Sequence, residues 1–317
     1  MTISNLFESL NMTWIVRALA LAGIMGQVVP AQSLIPINTE AVKRAVVFLY
    51  AADAAGQPDT ARELATGFLL EIQTRSDPTK SYFALVTARH VVDPVWACAA
   101  PQNPASMYAS VNRKTYDPAK DASGVEFIEV PLIVKGKAVW TKHASDAVDA
   151  VLVPINYDKF SPNDVATVRM SDFPTPDELR LVGIGDEIVS AGLVPGLSGK
   201  KRNYPFFKFG KVSSIPEELG VMQCGMQTKP ANHWYIAATL VSGNSGSPIF
   251  HLPPGNAVLS FGNGRPFLLG LQSSAVVAGE IAGMTPASLI FEIVESLKLP
   301  DANLDRGPTK AAGPPPR

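Results

Sequence analysis

Short apolar or alternating stretches recur along the chain: AVVFLY, TGFLLEI, YFALVTA, FIEVPLIV, AVLVPI, EIVSAGL, FFKFGKVSSI, HWYIAATL and PFLLGLQSSAVV, many with Gly-, Pro- or Asn-rich joins. Their length and period suit strands, and they predict an all-β protein built as an antiparallel sandwich or barrel. Helical periodicity shows in SLIFEIVESLKL, where Leu289, Ile293 and Leu297, flanked by Ile290 and Val294, share a face. That stripe predicts a C-terminal helix packed on the β structure. The polar, proline-bearing stretch from Asn156 reads as a linker, residues 156–175, between β lobes at 32–155 and 176–299. Residues 300–317 carry no apolar pattern and read as a disordered tail. The sequence contains no internal repeat.

Composition narrows the class without naming a chemistry. With 317 residues, 46% hydrophobic and 17% charged, the chain has the material for a large core. The formal charge is −1, with both signs interspersed and no Lys/Arg cluster, which argues against a nucleic-acid partner. Reading from Met12, MTWIVR supplies a basic n-region with Arg17, ALALAGIMG an apolar core, and VVPA a small-residue cleavage site. Residues 1–31 are therefore expected to be a signal peptide that leaves Gln32 as the new N-terminus. The apolar run from Ala18 to Val29 is short for the roughly 20 residues that span a bilayer. A secreted or periplasmic protein with no stable membrane partner is expected. Cys98 and Cys224 lack metal-ligand spacing, and an exported chain leaves their pairing open.

The stretch GNSGSP, Gly243 to Pro248, places Ser245 between two glycines, the composition of a tight bend that turns a hydroxyl outward. By itself this is a turn. A serine becomes a nucleophile only beside an oriented base. Of the four histidines, His90 ends the apolar run YFALVTARH and would be delivered at a strand end, whereas His143, His233 and His251 read as structural. Asp149 opens the apolar run DAVLVPI and would be carried inward, whereas Asp146 lies on the polar side of HASDAV. Asp149 is therefore the preferred carboxylate to orient His90.

TARH at Thr87–His90, DAVLV from Asp149 and GNSGSP around Ser245, in the order His, Asp, Ser, resemble the trypsin-like serine peptidases of the chymotrypsin clan, in particular exported bacterial members. TGFLLEI and FLLGLQSS extend the likeness over roughly residues 40–298. The resemblance implies two six-stranded antiparallel β-barrels with a C-terminal helix and a site between them. It implies His90, Asp149 and Ser245 as the catalytic residues, and the amides of Gly243 and Ser245 as the oxyanion hole. Thr239 at the base of a pocket, with Ser273, Ser274 and Ala275 along its wall, would bind a protein or peptide substrate, with a small or medium uncharged residue favoured. Glu280, in the loop that closes the far wall, is the residue that would reverse this preference. No metal or cofactor is implied. Asn244 departs from the aspartate of animal digestive members, so their ion pair to a newly cut N-terminus is not expected, and Ser247 replaces the second glycine of the usual pair. The competing reading is a protease-like binding module that has lost catalysis.

Overall fold

The computed structural model describes residues 38–199, 201–224, 226–238, 243–253, 265–277 and 280–308. The predicted signal peptide lies outside these residues, as does Thr239. The five apolar runs of the first half fall in strands, and ten strands form there among the described residues: β1 (Val46–Ala52), β2 (Pro58–Gln73), β3 (Ser81–Thr87), β4 (Ser106–Asn112), β5 (Val125–Pro131), β6 (Ile133–Val134), β7 (Lys137–Ala138), β8 (Thr141–Lys142), β9 (Val151–Pro154) and β10 (Val168–Arg169). Eight follow in the second: β11 (Glu187–Gly192), β12 (Phe206–Ser214), β13 (Gly220–Cys224), β14 (Gln227–Ala231), β15 (Trp234–Ala237), β16 (Pro248–His251), β17 (Phe267–Val277) and β18 (Ile281–Pro286). Short helices α1 (Thr39–Ala45), α2 (Arg89–Val92) and α3 (Pro176–Arg180) punctuate them, and α4 (Ala287–Ser296) closes the fold.

The second lobe is a closed six-stranded barrel in the order β11-β12-β15-β18-β17-β16, as expected. The first lobe differs. It is an eight-stranded sheet in the order β5-β4-β1-β2-β3-β9-β8, with β10 added parallel to β2. Its end strands do not pair with each other, because β8 is only two residues long and β5 alternates buried and exposed positions like a sheet edge. The long β2 has its central residues 65–70 buried without a break, so it serves both the sheet interior and the junction with the barrel.

Packing explains two further departures from the sequence expectation. Residues 156–175 are not a loose linker: Phe160, Val168, Met170 and Phe173 are buried, and β10 within this stretch pairs with β2. Apolar residues spaced among polar ones gave this segment a loop-like pattern, yet each reaches a core. Residues 300–308 are not disordered either. The Arg75 amide donates to Asp301 O (2.8 Å), the Asn303 amide donates to Gln73 O (2.7 Å), and Leu299 and Leu304 pack on the core. Backbone pairing, which leaves no sequence period, joins these two leucines in holding the segment.

Helix α4 forms where its stripe predicts, with Ile290, Ile293 and Val294 buried against strands of both lobes and Leu289 and Leu297 partly buried beside them. Cys98 and Cys224 form a disulfide that clips the β13–β14 hairpin to the segment after α2. The two cysteines are 126 residues apart, so the link removes much unfolded-state freedom. The double serine variant is expected to lose about 4 kcal/mol of stability and to melt roughly 5–10 °C lower. Thermal unfolding followed by circular dichroism checks this, and an unchanged midpoint would refute it. Among the described residues no helix is long and apolar enough to cross a membrane.

Candidate active site

Strand β3 delivers His90. Leu85, Val86 and Thr87 are fully buried, the chain stays extended through Ala88, and α2 then begins, so His90 emerges at the end of an anchored strand. Asp149 sits between the buried Val148 and Ala150 and is itself 5% exposed. Its carboxylate grips His90 twice: Oδ1 accepts from the His90 amide (2.9 Å) and Oδ2 meets Nδ1 of the ring (2.8 Å). With Nδ1 so engaged, Nε2 is the ring nitrogen left to take a proton. Thr285 Oγ1 of β18 donates to the Asp149 carbonyl (3.2 Å), which ties this residue to the barrel.

Asp146 has a different position. It is exposed, pairs with Lys142 and with Arg89 Nη1, and these cations hold its carboxyl down at about 2. Arg89 is buried, binds Asp93 through Nε (3.0 Å) and lies over the Trp96 ring (4.4 Å). Lys229, from the disulfide-linked hairpin, covers that ring at 3.1 Å and donates to the Trp96 carbonyl. Burial, aided by the charge of Arg89, lowers the Lys229 ammonium to about 8 against the opposing pull of Asp149, Asp93 and Asp146.

The turn around Ser245 requires its glycines. Gly243 lies at φ +92° and Gly246 at φ +85°, where side chains are strained. A Cβ on Gly246 would meet Thr66 O at 2.1 Å, Thr87 Oγ1 at 2.4 Å and Ala88 N at 3.1 Å. The bend that carries Ser245 therefore packs directly on the residues that precede His90. Its other side is joined to β17, where Gly246 N donates to Gln272 O (2.8 Å) and Gln272 N donates to Ser247 O (2.9 Å). The buried Asn244 side chain donates through Nδ2 to Leu193 O and accepts at Oδ1 from Lys208 Nζ. Ser245 itself is half-buried.

The residues expected to wall the substrate pocket, Ser273, Ser274 and Ala275, lie along β17. Ser273 is buried, Ser274 is partly buried opposite Gly283, and Ala275 pairs with Ala282 on β18. Among the described residues the Ser273 and Ser274 hydroxyls have no hydrogen-bond partner. Glu280 is exposed in the β17–β18 connection. His90 also lines a cavity of about 730 Å³ between the β1–β2 turn and the segment before β4, together with Asp53, Arg62, Leu64, Val91 and Met107.

The remaining histidines have other settings. His143 meets Glu292 (2.8 Å), His251 meets Asp186 (3.1 Å) and stacks on Phe267, and His233 is buried edge-on to Tyr235. Among the described residues there is no cluster of His, Cys, Asp and Glu suited to a metal ion. Sequence reasoning missed Thr66, Trp96 and Lys229. Thr66 had one available signal, a hydroxyl in the otherwise apolar strand ATGFLL.

No protein-family model matches the sequence, and no curated protein matches it. Solved structures do. The active form of the Rv3671c protease from M. tuberculosis is 15% identical, with a TM-score of 0.44 over 84% of this chain and 86% of that one. Its inactive form is 15% identical with a TM-score of 0.43, covering 85% and 96%. HBP is 12% identical with a TM-score of 0.45, covering 87% and 96%.

Proposed function

We propose that the chain is an exported serine endopeptidase of the trypsin-like type. The observation that carries this reading is the double hydrogen bond from the buried Asp149 to His90, beside a glycine-bracketed Ser245 turn packed on Thr87 and Ala88. In the proposed reaction the Ser245 oxygen bonds to the scissile carbonyl carbon while its proton passes to His90 Nε2. The carbonyl π pair moves to oxygen, where the Gly243 and Ser245 amides receive the charge. As the oxyanion collapses, the C–N bond breaks and His90 gives its proton to the departing amine. Water repeats the sequence on the acyl-enzyme, and Asp149 holds the tautomer and balances the imidazolium.

Burial opposes a charge on His90, but the charge and hydrogen bond of Asp149 outweigh it against a smaller opposing push from Lys229, and the ring titrates above its ordinary value. Export is supported by the n-region, apolar core and VVPA site, and by a disulfide, a bond that persists in oxidising compartments. Ser273, Ser274 and Ala275 are proposed to line the acyl-side substrate groove with Thr239. A fluorophosphonate probe tests the reading: it should label the full chain at Ser245, and the enzyme should cut a mixed peptide digest. A folded chain that neither labels nor cuts would favour the binding module.

A further inference from the structure

We infer that Thr66 is a positioning residue that sets the oxyanion amides by holding the nucleophile turn from beneath; this rests on the peptidase reading. Thr66 is fully buried in β2, opposite Phe48 of β1. Its hydroxyl has one proton and two lone pairs. The Leu193 amide donates to Oγ1 at 3.0 Å, and Oγ1 in turn donates to Gly243 O at 2.8 Å. The Thr66 backbone amide donates to Ser245 O at 2.9 Å. Thr87 Oγ1 then donates to Thr66 O at 2.8 Å, fixing the residue to the strand that bears His90.

One side chain and its own peptide therefore anchor two of the turn's carbonyls. Both belong to residues whose amides face the oxyanion in the proposed reaction. Gly243, at φ +92°, has no side chain to restrict the peptide that follows it, so an outside hydrogen bond must choose its rotation. The Gly243 and Ser245 amides are attached to the same Cα atoms as the anchored carbonyls, so holding those carbonyls pins the two Cα atoms from which the amides project. The bond from Leu193 also fixes the hydroxyl rotor, because the lone pair it occupies leaves the proton directed at Gly243 O. Oxyanion stabilisation depends on donors that are aimed before the reaction begins. Loss of the Thr66 hydroxyl should loosen that aim while substrate contacts on β17 stay in place.

The test measures the limiting rate and half-saturating concentration of fluorophosphonate labelling for the full chain, for Thr66→Val, which keeps the shape, and for Thr66→Ser, which keeps the hydroxyl. Thr66→Val is expected to lower the limiting rate about 10- to 100-fold with little change in half-saturation. Thr66→Ser is expected to stay within about threefold of the natural chain, since the hydrogen bonds persist. Should valine prevent folding, Thr66→Ala gives the same readout without the branched methyl against Leu193. A Thr66→Val or Thr66→Ala chain that labels at the natural rate, or a Thr66→Ser chain as slow as they are, overturns the inference alone. A natural chain that fails to label overturns the peptidase reading and this inference together.

Discussion

Ser245→Ala is expected to abolish peptide hydrolysis and probe labelling, with kcat falling by roughly 10⁶, while the protein folds as before. The size of the loss follows from the role: without the hydroxyl there is no acyl-enzyme, and only oriented binding and oxyanion contacts remain. Preservation of the fold follows from the turn's construction. It is held by the Thr66 amide on Ser245 O, the Gly246 amide on Gln272 O and the Ser247 amide on Asn244 O, all backbone bonds that alanine keeps. The side chain is half-buried, so its thermal midpoint should lie within about 2 °C of the natural chain. Activity within tenfold of the natural protein would remove Ser245 from the nucleophile role. A collapsed midpoint would instead show that the hydroxyl serves the fold.

Legibility in the sequence tracked the kind of force involved. Strands that bury one or both faces, such as AVVFLY and YFALVTA, leave a run of apolar residues, and β1 and β3 form there. The α4 stripe is equally direct, because a helix must turn one face to the core. Burial patterning also placed Asp149 inside and Asp146 outside, since one opens an apolar run and the other does not. Elements held by backbone bonds left no such trace. Residues 300–308 pair through Asn303 and Asp301 with β2 and its turn, and no sequence period encodes that. The open edge of the first sheet depends on a ladder that β5 and β8 do not make, which is a property of strand length and register in three dimensions. Cross-lobe contacts were the least legible. Thr66 meets Gly243 and Leu193, far along the chain, and Lys229 reaches Trp96 from a hairpin that the Cys98–Cys224 disulfide and the Asn232 amide on Ala147 O tie to the first lobe.

Asp149→Asn is expected to lower kcat by about 10⁴ and to move the acid limb of the activity profile to lower pH. Two consequences of one contact are involved. Asp149 Oδ2 meets His90 Nδ1 at 2.8 Å and so keeps the proton on that nitrogen, leaving Nε2 able to accept one from Ser245. An asparagine amide group can donate to Nδ1 instead, which places the ring proton on Nε2, where it blocks the reaction. The carboxylate charge also raises the His90 titration above its ordinary value, overcoming the opposite effect of burial. The neutral ring is the active form, so the natural enzyme loses activity as pH falls through that raised value. Asparagine removes the charge while the ring stays buried, so the remaining activity should persist to lower pH. Asp146→Asn serves as the comparison, because Asp146 is 73% exposed and is bound to Arg89 and Lys142 rather than to His90. Arg89 keeps Asp93 as a partner in that variant, and the change in kcat should be within about threefold. Measuring kcat for both variants from acid to alkaline pH separates the two carboxylates. A larger loss in Asp146→Asn than in Asp149→Asn, or an acid limb that stays fixed in Asp149→Asn, would remove Asp149 from the orienting role.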